Sequence, residues 1–240
     1  MIGKRISIVL FTLGVLAGCQ STSSQNQKQG EVNNMEKVEN YDGLISHYKS
    51  MLEQGSQDPK VKEELALAYF HKGDIESADF YVQHLQKEGV KTPSLYQLAG
   101  QVFDAKDNTS DAISAYLASI ESGNASGQVH VLLAVSYTKL GQYDDAYQEL
   151  NEARLKGYDD LVIKNNIAMI QMANGEFEQA IVTLTPILKD HPSNKVVKAN
   201  LAIALIKAQK VDAARKLLKG DFSDQEVVSI ANELTQTGSY

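Results

Sequence analysis

Alanine returns every 34 residues along this chain, at Ala78, Ala112, Ala146, Ala180 and Ala214. A second ladder with the same step reads Ala66, Gly100, Ala134, Ala168 and Ala202. Bulkier rungs run beside them: Tyr69, Phe103, Tyr137, Gln171, Leu205; Ile75, Thr109, Tyr143, Phe177, Val211; and Val82, Tyr116, Leu150, Leu184, Leu218. Two small residues per period describe two antiparallel helices joined by a short turn, which approach closely only where facing residues lack bulk. Ala134 on the first helix and Ala146 on the second mark that crossing in the central copy. Gly73, Gly141 and Gly175 fall between the two helices, where the turn needs a positive φ. One pair cannot bury its apolar stripe alone, so the copies must stack. The predicted fold is all-α, a right-handed α-solenoid of about five helix-turn-helix repeats with capping helices.

The ladders place the five repeats over residues 59–228. One period before Ile75, Ala78 and Val82 stand Tyr41, Leu44 and Tyr48, so 41–58 reads as an N-terminal capping half-repeat. The last repeat is cut short after Lys219-Gly220. Ser223 then opens a capping box with Glu226, ahead of Val227, Val228, Ile230, Ala231 and Leu234. That pattern predicts a C-terminal capping helix within 223–240.

These rungs resemble the tetratricopeptide repeat (TPR) family from Pro59 to about Val228, and the resemblance implies a right-handed TPR superhelix. The tryptophan that opens the consensus is replaced by Lys62, Tyr96, His130, Lys164 and Lys198, and the proline that closes a repeat remains only at Pro192.

At the N-terminus, Lys4 and Arg5 precede an apolar run from Ile6 to Leu16 that is too short to cross a membrane as a helix. The charge-then-apolar layout predicts a signal peptide over 1–18. It ends in Leu16-Ala17-Gly18-Cys19, which resembles the bacterial lipobox, and the resemblance implies lipidation at Cys19, the only cysteine. Gln20 follows where aspartate would imply inner-membrane retention, so the expected location is the outer membrane, lipid-anchored on its periplasmic face. Residues 19–40 are rich in Gln, Ser, Asn and Lys and predict a flexible tether.

The net charge is −7, and losing Lys4 and Arg5 with the leader makes it −9. That balance argues against nucleic acid as a partner, because backbone binding draws on clustered Lys and Arg. The five histidines are scattered, and no phosphate loop, nucleophile elbow or metal-ligand spacing occurs. The sequence therefore predicts no catalytic residue, no metal, no cofactor and no small-molecule substrate. A protein-binding surface is the remaining expectation.

In TPR stacks the first helix of each pair lines a concave groove. Its outward stripe at i, i+4 and i+7 reads Glu63, Leu67, Phe70 in the first repeat and Gln97, Gln101, Asp104 in the second. It continues as Val131, Val135, Thr138, then Asn165, Met169, Met172, then Ala199, Ile203, Ile206. The candidate partner-binding groove is Leu67, Phe70, Val131, Val135, Asn165, Asn166, Met169, Met172, Asn200, Ile203 and Ile206. The first helices of repeats four and five are apolar nearly all round and must be covered on every face. A partner segment, the chain's own C-terminal helix or simple curvature of the stack provides that cover. Asn166 and Asn200, one period apart, either brace neighbouring loops or bond a bound peptide. Glu63 and Leu67 stand where the chaperone-binding TPR clamp has Lys and Asn, so that clamp is not reproduced.

Lipobox, tether and TPR array together resemble the TadD-type TPR lipoproteins of the tight-adherence (Flp) pilus machinery. The runs Asn200-Leu201-Ala202-Ile203-Ala204-Leu205, Val211-Asp212-Ala213-Ala214 and Ala231-Asn232-Glu233-Leu234 carry most of that likeness. It implies an outer-membrane pilotin whose partner is a secretin or another pilus component. Alternatives are a type IV pilus pilotin, a TPR subunit of the β-barrel assembly machinery, and an adaptor for peptidoglycan enzymes.

Overall fold

A computed structural model describes residues 20–236 of the chain. Among them it forms thirteen α-helices and no strand. A first compact unit ends at Gly73 and a second begins at Asp74. The first holds α1 (Gln20–Lys37), α2 (Tyr41–Glu53) and α3 (Pro59–Lys72). The second holds α4 (Ile75–Lys87), α5 (Pro93–Ala105), α6 (Thr109–Glu121), α7 (Gly127–Lys139), α8 (Tyr143–Leu155) and α9 (Asp160–Ala173). It continues with α10 (Phe177–Asp190), α11 (Lys195–Lys207), α12 (Val211–Leu218) and α13 (Asp224–Gln236).

In the second unit α5 packs on α6, α7 on α8, α9 on α10 and α11 on α12. Each second helix also touches the first helix of the next pair, and α5, α7, α9 and α11 touch in sequence. This is the stacked solenoid that the ladders predict. Ala112, Ala146, Ala180 and Ala214 are fully enclosed, and Ala134, Ala168 and Ala202 nearly so. Ala134 and Ala146 share a core with Leu150, Ile163 and Ile170.

The turns repeat with equal strictness. Glu39, Gly73, Asp107, Gly141, Gly175 and Gln209 stand 34 residues apart, and all have positive φ, between 54° and 86°. The residue after the turn donates its N–H to a carbonyl five positions back, as in Asn40 to Met35, Asn108 to Phe103, Gln142 to Tyr137, Glu176 to Gln171 and Lys210 to Leu205, at 2.8–2.9 Å. That bond closes a Schellman motif and ends the helix. Side chains cap the following starts: Asp74 accepts from Ser77 N–H at 3.1 Å, Asp159 from Val162 at 2.9 Å and Asn194 from Val197 at 3.0 Å.

One expectation needs correction. Residues 20–37 are helix α1, not a flexible tether. The reason lies in three positions: Val32, Met35 and Glu39 stand one period before Ala66, Tyr69 and Gly73. Val32 is 6% exposed. A Cβ on Gly43 would come 2.7 Å from the sulfur of Met35, so α1 packs closely on α2 where α2 has no side chain. α1 and α2 thus form a further helix pair, and the capping half-repeat is whole. The signal peptide and Cys19 lie outside the described residues.

The C-terminal end follows the sequence. Glu226 accepts from the N–H and the hydroxyl of Ser223, each at 2.7 Å, and its own N–H donates back to the Ser223 hydroxyl at 3.3 Å. The α13 helix that this box opens packs on α11 and α12.

Candidate functional site

Within the second unit a cleft of about 680 Å³ opens beside α7, α9 and α11. Val135, Met169 and Ile203 line it, one residue per repeat and 34 apart. Val135 is 36% exposed and Met169 38%. The 34-residue repeat brings the same rung of each first helix to one face, so three apolar side chains share one strip. Tyr143 also lines it, its hydroxyl donating to the Ala173 carbonyl at 2.8 Å. Asn166 also lines the cleft, and its amide donates to the Val162 carbonyl at 2.9 Å.

The rungs flanking the strip are less open. Val131 is only 8% exposed and packs among Ala134, Ala146 and Ile163. Met172 lines the cleft but is 6% exposed, so it is wall more than contact. Asn165 accepts from the Asn200 amide at 2.8 Å, a brace between α9 and α11. Ile206 is 1% exposed in the core that contains Val227 and Ala231 of α13. Lys207 donates to the Leu234 carbonyl at 2.6 Å and fixes α13 there. The expected groove is therefore corrected at Val131 and Ile206, which are core, and at Asn165 and Asn200, which bond each other. Repeat five is covered by the chain's own last helix.

Leu67 and Phe70 belong to the first unit. Leu67 lines a separate pocket of about 180 Å³ with Tyr41, Leu44, Tyr48 and Glu64. Phe70 is not among its walls and stacks edge-on against His71, with ring centroids 5.8 Å apart. Burial holds the Glu64 carboxyl above the usual range. Burial, with the charges of Glu64 and Glu36, pushes the Tyr48 phenol up to about 12.

Lys139 and Leu140 line the large cleft and were not anticipated. Leu140, 47% exposed, precedes the turn at Gly141 where the neighbouring repeats have Lys106 and Asn174, and that contrast was visible in the sequence. Lys139 brings a charge to the cleft wall, and its ammonium lies 2.9 Å from Asp104. Asp104 also accepts from the hydroxyls of Tyr116 at 3.0 Å and Ser136 at 2.7 Å, joining α5, α6 and α7. Burial first, then the Asp104 charge and hydrogen bond, hold the Tyr116 phenol far above its ordinary range.

Among the described residues no cluster of three His, Cys, Asp or Glu could hold a metal ion. No described helix is long and apolar enough to cross a membrane.

Residues 171–222 match the tetratricopeptide repeat family model. A TPR repeat-containing protein of Methanocaldococcus jannaschii is 27% identical over 172 residues, covering 68% of this chain and 30% of that protein. The chain thus spans under a third of that relative's length. A thermophilic TPR protein of Thermus thermophilus superposes with a TM-score of 0.61 at 19% identity, covering 76% of this chain and 98% of that one. PilW, described as a widely conserved type IV pilus biogenesis factor, superposes with a TM-score of 0.62 at 13% identity, covering 77% and 89%. The fold is that of a TPR protein, an architecture suited to protein–protein interaction and typically a non-catalytic scaffold.

Proposed function

We propose that this TPR chain is a lipid-anchored, periplasm-facing outer-membrane scaffold that assists assembly of a Flp-type pilus. Its partner is a secretin or another pilus component, and an apolar segment of that partner seats in the cleft of α7, α9 and α11. The observation that carries the reading is the strip of Val135, Met169 and Ile203, open on an otherwise acidic chain. Such strips serve as adaptable docking grooves, with methionine as the compliant member. The lipobox at Cys19 supports the membrane location. A second reading, an accessory lipoprotein of type IV pili, draws on the likeness to PilW and differs only in the client captured.

The test is capture of the secretin from solubilised outer membranes. Val135→Lys with Met169→Lys places two charges in the strip at positions open enough to leave the fold intact. Hot-spot losses of ~2 kcal/mol or more correspond to at least roughly thirtyfold weaker capture. Gln101→Lys, one repeat earlier on the same rung, is expected to capture as wild type does. Undiminished capture by the double variant would remove the cleft from the interface. Cys19→Ser is expected to release the chain from the membrane fraction, and retention there would refute the anchor.

A further inference from the structure

Charge is unevenly divided along the chain. Residues 20–194 hold 14 Lys and Arg against 25 Asp and Glu, a net −11, whereas residues 195–226 hold seven against Asp212, Asp221, Asp224 and Glu226, a net +3. Several of those seven are paired. Lys198 bonds Asp221, Lys210 bonds Glu178 at 2.5 Å, and Arg215 bonds Asp224 at 2.6 Å and Asp212 at 3.2 Å. Lys195, Lys216 and Lys219 are exposed and make no ion pair among the described residues.

The Lys198–Asp221 contact ties the first turn of α11 to the loop after α12. Lys195 lies one turn from Lys198 on α11, and Lys216 one turn before Lys219. Phe222 follows Asp221 in that loop and is 46% exposed. Ammonium groups and an open phenyl ring therefore gather at one end of the last repeat.

We propose that this end of the chain is a contact for the surface of an anionic phospholipid bilayer. Each lysine near such a surface strengthens attachment about fivefold, and the attraction acts within a Debye length, about 10 Å at 0.1 M salt. The phenyl ring of Phe222 enters the boundary between headgroups and acyl chains, as aromatic residues of surface-bound segments do. The acidic remainder is repelled by the same surface, so approach by this end is selected. An acidic polypeptide would satisfy the lysines but leaves the open ring without a role. None of these residues lines the apolar cleft, so the contact is independent of partner capture.

The experiment uses the chain from Gln20 to Tyr240, which keeps the thirteen described helices and omits the apolar run of residues 6–16. Its sedimentation with vesicles of phosphatidylglycerol and phosphatidylcholine is compared with vesicles of phosphatidylcholine alone. Partition onto the anionic vesicles is expected, and removing three lysine charges should weaken it at least about a hundredfold in Lys195→Glu/Lys216→Glu/Lys219→Glu. Lys87→Glu/Lys91→Glu/Lys156→Glu changes net charge equally at exposed sites elsewhere and is expected to bind like wild type. Phe222→Ser is expected to weaken binding about tenfold. Equal partition onto both vesicle types, or equal loss in the two triple variants, would overturn the proposal. So would displacement by polyglutamate with no effect of Phe222→Ser, which would assign the patch to acidic polypeptide.

Discussion

The ring of Tyr116 occupies the space that a side chain on residue 100 would need: a Cβ on Gly100 would come 2.4 Å from its Cε1. Within the five repeats from residue 59, residue 100 is the one glycine on a rung otherwise alanine, and residue 116 the one aromatic on a rung otherwise aliphatic. The two departures offset each other across the α5–α6 crossing. Gly100→Ala is therefore expected to destabilise by about 1–3 kcal/mol through overpacking. Tyr116→Leu alone should cost about 2–4 kcal/mol by leaving a cavity. The pair together should lie well above the sum, and a double-mutant cycle in denaturant reads the difference.

Asp104 is the acceptor that three donors share, and it is expected to matter more than a surface ion pair. Its side chain is 14% exposed while that of Lys139 is 41% exposed. Asp104→Ala strands the buried hydroxyl of Tyr116 and leaves that of Ser136 only its 3.2 Å bond to the Leu132 carbonyl, for an expected loss of about 1–3 kcal/mol. Lys139→Met removes only a solvent-screened charge and should cost less than about 1 kcal/mol. Urea midpoints of the two variants check the ranking.

Tyrosine titration supplies a third outcome. The Tyr48 phenol is raised to about 12 in the folded chain, so the native state keeps a proton that the unfolded state loses near its ordinary value. The resulting stabilisation is full below about pH 10 and is lost as pH rises from there through the folded value. Tyr48→Phe is expected to move the midpoint of alkaline unfolding upward. In the wild type, the last tyrosinate absorbance should appear together with loss of helix, because Tyr116 is held higher still.

How much of this was legible follows from what each residue does. Small residues at a fixed step announce close helix contacts, and the alanine rungs and the Ser223–Glu226 box appear where the sequence puts them. α1 was obscured because polar composition signals lost order, while Val32 and Met35 mark the buried side of its described side chains. The cleft strip was readable as a rung, but its depth was not. Whether an aliphatic side chain on a first helix meets solvent or a neighbour depends on the adjoining pair, as Val131 and Ile206 illustrate. Asn165 and Asn200 face each other across two helices, and no local pattern specifies that.

The turn positions allow a fourth prediction. Gln209 has φ 62° where Gly141 and Gly175 serve the same turn, and a side chain in that region costs about 1–2 kcal/mol. The unfolded chain's greater freedom with glycine offsets part of it. Gln209→Gly is expected to raise stability by about 0.5–1 kcal/mol, and Gly141→Ala to lower it by about 1 kcal/mol. Thermal melts of both decide.

The exchange between Gly100 and Tyr116 has a genetic consequence. Both members lie within one 34-residue block, so the fit of glycine to ring travels with the block. A left-handed backbone position recurs at the same turn of successive blocks, from Glu39 to Gln209. Unequal crossing-over that inserts or removes one such block would leave each remaining turn and crossing in phase. Repeat number is then a quantity that recombination can change in single steps, with no need for simultaneous point mutations.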